Sequence, residues 1–349
     1  MPIHPRRRGA AALLLLLAML AGLSGCGLWP RMPETSVAAG HLPSTAPGAL
    51  GPGGTTVLPF NVQPYLHPAK KYLGVALPGL VGSTASLSAF SAQIGKTPDL
   101  VESYAAWGDQ FPASSVRADW KLGAMSNIAF EPNKTSDIAA IISGKDDGYI
   151  TSYATQVRDL NLPVAISFGH EMNGNWRPWG SQAITPAQFV AAWKHIHDLF
   201  QQAGATTVIW VWSPNQINIV NSPYPLRDYW PGDSYVDWVG MIGYYGQSDD
   251  YTFSSLFGPT ITDVRQFTQK PFLISETAAP PGTRKPAAMD DLFKAVAARS
   301  DVIGFTWFDY DKPGQQDEAN WKVDSGPLSL ATFRADARNP LFGFNIEHP

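Results

Sequence analysis

Short apolar runs alternate with amphipathic stretches over most of the chain. The runs that we expect to form strands are, in order, Leu73–Leu77, Leu100–Ala105, Met125–Phe130, Val164–Phe168, Val208–Trp212, Val236–Gly243, Phe272–Ser275 and Val302–Trp307. Most of them are continuously apolar, which is typical of strands buried on both faces of a parallel sheet.

The stretches between these runs have the pattern of helices. In Thr185–Ala203, the clearest case, Thr185 can cap the first turn and Gln188 completes a capping box. Asp147–Leu160 also carries apolar residues at helical spacing. Eight strands alternating with helices predict an α/β fold of the (β/α)8 or TIM barrel type, which we place at residues 60–349. A doubly wound open sheet is the alternative, but no Gly-rich phosphate loop follows the first strand.

The N-terminus has the pattern of an export signal. Arg6, Arg7 and Arg8 precede an apolar run from Ala10 to Leu23, which is short for a transmembrane helix. The run ends in Leu-Ser-Gly-Cys at 23–26, which resembles a bacterial lipobox. That resemblance implies a lipoprotein signal peptide at residues 1–25 and lipidation of Cys26.

Residues 26–59 are rich in Pro, Gly, Ser and Thr, and we interpret them as a flexible tether. The protein is then expected outside the cytoplasm, anchored by lipid to the bacterial cell membrane. Ordinary secretion with an incidental cysteine is the alternative. Cys26 is the only cysteine, so the chain cannot form an internal disulfide.

Composition narrows the classes of function. Apolar residues make up 44% of the chain and charged residues 15%, which permits a large core. The formal charge of −4 and the lack of a long basic run argue against nucleic-acid binding. The twelve Trp and twelve Tyr are expected in the core and, in part, as platforms for sugar faces.

Two glutamates follow apolar runs directly, at positions where a barrel carries its active-site groups. Glu171 comes just after the fourth predicted strand and Glu276 ends the seventh. A carboxylate at such a position is unfavourable unless it has partners or a chemical task. An ion pair at the rim is the structural alternative for either residue alone. Together they match the two carboxylates of glycoside hydrolysis, one acid and one nucleophile.

The segment Phe168-Gly169-His170-Glu171-Met172-Asn173-Gly174-Asn175-Trp176 closely resembles the acid/base motif of glycoside hydrolase family 26. Trp210–Asn215 resembles the fifth strand of that family, and Lys270–Thr277 resembles its nucleophile strand. The resemblance covers roughly Tyr72 to Phe333.

The resemblance implies a role for each of several residues. These are Glu171 as general acid/base, Glu276 as nucleophile, His170 as an orienting group, Tyr244 as a hydrogen-bond donor to the nucleophile, Trp176 and Trp307 as walls of the sugar subsite, and Trp179 as an extension of the sugar platform. Glu131, Trp212 and Asn215 also lie at strand ends, where we expect no more than a rim role. The pKa of Glu171 should be raised by the neighbouring negative charge.

One position departs from the family pattern. Members of the family often carry Arg three residues before the His of the first motif, and Ser167 stands there. The missing cation bears on substrate preference more than on reaction type.

We therefore expect a retaining endo-β-glycosidase that acts on a β-linked polysaccharide, with β-1,4-mannan as substrate. A mixed-linkage β-glucanase, a β-1,3-xylanase and a carbohydrate-binding surface lipoprotein without catalysis are the alternatives. We expect a monomer that needs neither cofactor nor metal. A zinc site at His170 and Glu171 is disfavoured because Gly174 stands where the second His of that motif belongs.

Overall fold

The computed structural model describes residues 58–218, 220, 222–246, 251–313 and 319–349. The predicted signal peptide, Cys26 and the tether up to residue 57 lie outside the described residues.

The described residues form a closed barrel of parallel strands in sequence order, in which the eighth strand pairs with the first. The strands are β1 (Tyr72–Ala76), β2 (Leu100–Ala106), β3 (Met125–Glu131), β4 (Val164–Phe168), β5 (Val208–Trp212), β6 (Trp238–Ile242), β7 (Phe272–Thr277) and β8 (Val302–Phe308). The predicted (β/α)8 barrel is confirmed, and each strand lies within a predicted apolar run or extends it by one or two residues.

Helices surround the barrel and connect its strands. They are α1 (Gln63–Leu66), α2 (Ala85–Ile94), α3 (Ala113–Lys121), α4 (Thr135–Ile142), α5 (Asp147–Leu160), α6 (Pro186–Gln202), α7 (Phe253–Val264), α8 (Lys285–Ala298) and α9 (Pro327–Ala337). The capping box of α6 is present: Thr185 Oγ1 accepts from the backbone N–H of Gln188, and the Gln188 side chain accepts from the N–H of Thr185. Among the described residues, no helix is long and apolar enough to cross a membrane.

Two apolar clusters leave one end of the barrel for polar groups. The larger cluster joins the strands to the surrounding helices. The smaller one gathers residues at the start of several strands, such as Tyr72, Leu100 and Trp238, together with Tyr65 of α1. Buried polar side chains lie further along the same strands, for example Glu102 in β2. The polar groups therefore collect toward the carboxyl ends of the strands, where barrels of this kind carry their active sites.

Candidate active site

Glu276 lies within β7, at a point where the strand is irregular. Met241 of β6 pairs with Ile274, but the next residue, Ile242, pairs with Glu276. One residue of β7 is therefore extra at this point, and such a bulge changes the direction in which the following side chain points. The Glu276 side chain is buried, with 6% of its surface exposed.

Two tyrosine hydroxyls hold the Glu276 carboxylate. The Tyr104 hydroxyl, from β2, donates to Oε2, and the Tyr244 hydroxyl, from the loop after β6, donates to Oε1. Burial raises the pKa of Glu276, the charge of Glu171 raises it further, and the two tyrosine hydrogen bonds act in the opposite direction. The contact with Tyr244 is the one that the family resemblance implies. The contact with Tyr104 was missed, although alternation along β2 gives Glu102 and Tyr104 the same face.

Glu171 lies in the turn that follows β4 and adopts a backbone conformation unusual for a residue with a side chain. Its φ is +57°, in the left-handed region. Its N–H donates to the carbonyl of Ser213 at 2.7 Å, and its carbonyl accepts from the N–H of Gly174 at 2.9 Å. These hydrogen bonds hold a conformation that costs about 1–3 kcal/mol, of a kind that is common at functional sites.

Among the described residues, the donors to the Glu171 carboxylate are all N–H groups. At Oε2 it meets Trp176 Nε1 at 2.9 Å and Arg177 Nε at 3.0 Å, and at Oε1 it meets Asn215 Nδ2 at 2.7 Å. Asn215 thus contacts the predicted acid/base directly, which goes beyond the rim role expected for it. Trp212, in contrast, is a core residue whose indole N–H donates to the carbonyl of Tyr229.

The electrostatic surroundings of Glu171 overturn one expectation. Burial on its own would raise the pKa of Glu171. His170, when it is protonated, and the Arg177 cation outweigh that effect, hydrogen bonds from Trp176 and Asn215 act with them, and the pKa is lowered. The predicted rise is therefore wrong, because N–H donors and a cation contact the carboxylate and favour its ionised form.

His170 is buried and neutral. Burial, together with the nearby Arg177 cation, lowers its pKa to about 3. A neutral imidazole has one ring nitrogen that can accept a hydrogen bond, and Arg177 Nη2 lies 2.8 Å from His170 Nε2. The Trp179 indole N–H donates to the His170 carbonyl at 2.7 Å. Trp179 is only 2% exposed, so it supports His170 from within and does not extend a sugar platform.

The two tryptophans expected to wall the sugar subsite have different positions. Trp176 is 49% exposed beside Glu171 and is available to a sugar face. Trp307 has no exposed surface, packs with its ring centroid 5.6 Å from that of Phe333, and donates to the carbonyl of Trp321. The expectation for Trp307 is wrong because successive strand residues face opposite sides, and this one faces the helices.

A cavity of about 190 Å³ lies against Glu276. Its other lining residues are Tyr104, Glu131, Arg177, Phe308, Tyr310 and Lys312. Phe308 follows Trp307 in β8, and its ring stacks on that of Tyr310 with centroids 4.3 Å apart. These two rings stand where the sequence led us to expect Trp307.

Positive charge reaches the site from a loop. Ser167, at the position of the family arginine, is buried and hydrogen-bonds the hydroxyl of Ser213 at 2.9 Å. Arg177 supplies a cation instead, and its Nη1 lies 3.2 Å from Glu131 Oε1. Deeper in the barrel, burial and the charge of Glu276 raise the pKa of Glu102 well above its usual range. Among the described residues, no group of three or more His, Cys, Asp or Glu side chains is placed to hold a metal ion.

Comparison of the sequence with protein families identifies a glycoside hydrolase family. The model of the family described as Glycosyl hydrolase family 26 matches residues 125–321, which include Glu171 and Glu276.

Curated relatives with different printed activities match parts of the chain. Endoglucanase H of Acetivibrio thermocellus is 29% identical over 280 residues, which is 75% of this chain and 30% of that protein. A mannan endo-1,4-beta-mannosidase of Bacillus subtilis is 27% identical over 48% of this chain and 44% of its own length. Beta-1,3-xylanase TXYA of a Vibrio species is 24% identical over 47% of this chain and 36% of its own length. The chain thus spans less than half the length of each of these relatives.

Solved structures share the fold. The catalytic domain of a Bacillus sp. JAMB-750 endo-beta-1,4-mannanase superposes with a TM-score of 0.63 at 16% identity, over 81% of this chain and 90% of that one. A beta-mannanase of Bacteroides ovatus gives 0.60 at 14% identity, over 80% and 92%. At these identities the likeness concerns the fold alone.

Proposed function

Because the chain belongs to glycosyl hydrolase family 26, whose sequence model matches more than half of its residues, we propose that it is a retaining endo-β-glycosidase. Its proposed substrate is a β-linked polysaccharide, β-1,4-mannan. The observation that carries this proposal is the pair of buried glutamates, Glu171 and Glu276, at the carboxyl end of one barrel.

Glu276 is the proposed nucleophile. It lines the cavity, and its two oxygens are fixed by the Tyr104 and Tyr244 hydroxyls. Attack by one oxygen on the anomeric carbon forms a covalent glycosyl-enzyme and breaks the bond to the leaving oxygen. The tyrosines limit the rotation of the carboxylate, so that it meets the sugar in one orientation.

Glu171 is the proposed general acid/base. It gives a proton to the leaving oxygen in the first step and takes one from water in the second. Asn215 and Trp176 fix the carboxylate from two sides, and the exposed face of Trp176 can pack on a sugar at the same place.

A β-glucan is the second candidate substrate. The relative that covers three quarters of this chain is named an endoglucanase, whereas the mannosidase from Bacillus subtilis covers about half of it. Initial rates on β-1,4-mannan, mixed-linkage β-glucan and β-1,3-xylan, with Glu276→Ala as the blank, will rank the substrates. If reducing ends were released faster from the glucan than from mannan, the glucan would be assigned as the substrate in place of mannan. If the protein bound one of these glycans but released product from none of them, it would be a carbohydrate-binding protein and not an enzyme.

The stereochemical course tests the mechanism. Retention requires carboxyl groups about 5–5.5 Å apart, and inversion requires about 6.5–9.5 Å. NMR of the first-formed product, recorded before mutarotation, should show the retained anomer. Glu171→Ala should still react with an activated aryl glycoside and be rescued by azide, whereas Glu276→Ala should not. An inverted first product rules out a glycosyl-enzyme on Glu276.

We also propose that the chain is exported and anchored by lipid at Cys26. The Arg cluster, the apolar run and the lipobox-like 23–26 segment support this proposal. Cys26→Ser should shift the protein from the membrane fraction to the medium or leave it unprocessed. A membrane fraction equal to that of the wild type contradicts the anchor.

A further inference from the structure

Arg177 lies across the carboxylate of Glu171. Its Nε is 3.0 Å and its Nη2 is 2.9 Å from the same oxygen, Oε2. The third guanidinium nitrogen, Nη1, is 3.2 Å from Oε1 of Glu131, at the end of β3. One guanidinium therefore bridges two carboxylates in different parts of the barrel mouth.

The guanidinium also separates Glu171 from the cavity. Arg177 and Glu276 both line the cavity of about 190 Å³, whereas Glu171 is absent from that lining among the described residues. The Glu171 side chain is 8% exposed and the Arg177 side chain 29%. A sugar placed against Glu276 would meet the guanidinium before it met the Glu171 carboxyl group.

The hydrogen bonds at Glu171 favour its ionised form. Oε2 receives three N–H contacts, two from Arg177 and one from Trp176. Guanidinium and indole N–H groups donate and cannot accept, so a proton on Oε2 would find no acceptor among them. A general acid must carry a proton in the first step of glycoside hydrolysis. The arrangement that holds Glu171 so firmly is thus unsuited to that step.

We propose that Arg177 is a positioning residue that clamps Glu171 as a carboxylate and withdraws onto Glu131 as a sugar enters the cavity, which uncovers Glu171 for protonation. The proposal rests on the proposed function in one respect, the role of Glu171 as acid/base. The proton comes from solvent and passes from Glu171 to the leaving oxygen.

The residues around Arg177 can support its side chain both against Glu171 and after withdrawal onto Glu131. The ion pair with Glu131 already exists, so withdrawal breaks only the contacts with Glu171 and its neighbour His170. The Trp179 ring lies 5.4 Å from the guanidinium carbon and can support the cation as it moves. The loop itself is anchored, since Thr135 Oγ1 donates to the carbonyl of Pro178 at 2.7 Å. Movement can therefore be confined to the Arg177 side chain.

His170 and Arg177 shift the pKa of Glu171, and Glu171 in turn shifts the pKa of several other titratable groups. The groups coupled to Glu171 in one direction or the other are Glu102 from β2, Glu131 from β3, His170 and Arg177 from the loop after β4, Tyr244 from the loop after β6 and Glu276 from β7. Arg177 is the cation among them, because His170 is neutral. The second cation of the cavity, Lys312, acts on Glu131 and is not among the groups that shift Glu171.

A titration without any substrate tests the clamp. The sequence has seven glutamates, so labelling of glutamate Cδ with 13C gives a spectrum simple enough to assign and follow with pH. Arg177→Met should raise the titration midpoint of Glu171 by about 1–3 pH units. Arg177→Lys keeps the charge without the forked contact, so its Glu171 midpoint should lie between those of the wild type and Arg177→Met. Lys312→Met is the matched control and should leave the Glu171 midpoint in place.

An unchanged Glu171 midpoint in folded Arg177→Met and Arg177→Lys would overturn the clamp. If Lys312→Met moved the midpoint as far as Arg177→Met did, general charge would explain the result and the clamp would also fall.

Proton uptake on binding tests the release. The Glu276→Gln protein, which should bind without turnover, is titrated with a β-1,4-manno-oligosaccharide by calorimetry in buffers of different ionisation enthalpy. At a pH about one unit above the Glu171 midpoint, we expect uptake approaching one proton per site. Adding Arg177→Met should abolish most of this uptake at the same pH, since Glu171 then holds its proton beforehand.

Binding without proton uptake would overturn the release of Glu171. A failure to bind mannan, glucan or xylan oligosaccharides would count against the proposed function, while the glutamate titration would still decide whether Arg177 clamps Glu171.

Discussion

The side-chain amide of Asn215 donates a 2.7 Å hydrogen bond to Oε1 of Glu171, and both side chains are buried. Asn215 belongs to the segment after β5 and Glu171 to the turn after β4. Asn173 ties the two segments together, since its side chain accepts from the N–H of Asn215 at 2.9 Å and donates to its carbonyl at 2.8 Å. Glu171, the proposed acid/base, is thus held in place by the segment that follows the neighbouring strand.

Asn215→Ala should move the pH profile of the enzyme. The lost hydrogen bond lowers the pKa of Glu171, so its removal raises that pKa. A general acid with a raised pKa stays protonated to higher pH, and the alkaline limb of kcat/KM should move upward. Loss of a buried donor to a charged group should also lower the free energy of unfolding by about 1–3 kcal/mol. An alkaline limb identical to that of the wild type would show that this contact does not tune Glu171.

Tyr104→Phe and Tyr244→Phe should each affect the opposite limb. Both hydroxyls lower the pKa of Glu276, so removal of either raises it. As the proposed nucleophile, Glu276 must be ionised, and the acid limb of kcat/KM should therefore move to higher pH. Since a hydrogen bond to a charged group is worth about 1.5–3 kcal/mol, we expect kcat/KM to fall by about 10- to 100-fold.

Tyr153→Phe is the control for these variants. Its hydroxyl is buried in the core without a hydrogen-bond partner among the described residues, so its removal should leave the profile unchanged. Acid limbs that coincide for Tyr104→Phe, Tyr244→Phe and the control would exclude the proposed orientation of Glu276.

A buried aspartate outside the site predicts how stability changes with pH. Asp119 of α3 is 5% exposed and accepts a hydrogen bond from Ser126 at 2.8 Å. Burial raises its pKa from 3.8 to about 6, and the Ser126 hydrogen bond only partly offsets this. Below pH 3.8 both folded and unfolded chains hold the proton. As pH rises from 3.8 to about 6, only the unfolded chain ionises, and the folded state loses stability.

Asp119→Asn should remove this contribution. Two pH units correspond to about 3 kcal/mol, so the wild type should lose up to about that much more free energy of unfolding between pH 4 and pH 7 than the variant. Urea denaturation at several pH values measures both curves, and contributions from all other groups cancel in the difference. Parallel curves would mean that Asp119 titrates alike in the folded and unfolded chains.

The barrel could be predicted because its strands are short, apolar and regularly spaced. The ends of β4 and β5 were placed correctly, since an apolar run that is buried on both faces stops where polar residues begin. The predicted sixth strand, Val236–Gly243, was too long because hydrophobicity continues into residues that leave the ladder. Glu171 and Glu276 could be found because each follows an apolar run.

The rest of the site depends on the path of a loop and on the directions of side chains, which cannot be predicted from the sequence pattern. The turn that carries Glu171 passes through left-handed conformations at Gly169 and at Glu171 itself, and Arg177 contacts Glu171 from further along the same loop. A loop with such a path cannot be placed from sequence spacing. The prediction for Trp307 was wrong for a different reason. The sequence correctly placed this residue near the carboxyl end of β8. Which side of the sheet its ring faces depends on the register of β8 with β1, in which Val75 pairs with Trp307.

Trp176 and Trp307 should therefore respond differently to truncation. Trp307→Ala removes a fully buried ring and should lower the free energy of unfolding by about 3–5 kcal/mol. The folded fraction should keep kcat/KM near that of the wild type, because the ring faces Phe333 and not the cavity. Trp176→Ala removes a half-exposed ring, so we expect little change in stability and a loss of kcat/KM.

Trp176→Phe separates the two contributions of that residue. It keeps an aromatic face for the sugar but removes the N–H that donates to Glu171 at 2.9 Å. Because that hydrogen bond lowers the pKa of Glu171, both Trp176 variants should move the alkaline limb upward, whereas only Trp176→Ala should raise KM strongly. Urea denaturation and kinetics over a range of pH measure each effect separately. If Trp307→Ala raised KM while its stability stayed intact, the ring would belong to the sugar subsite after all, and the outward register of β8 would be refuted.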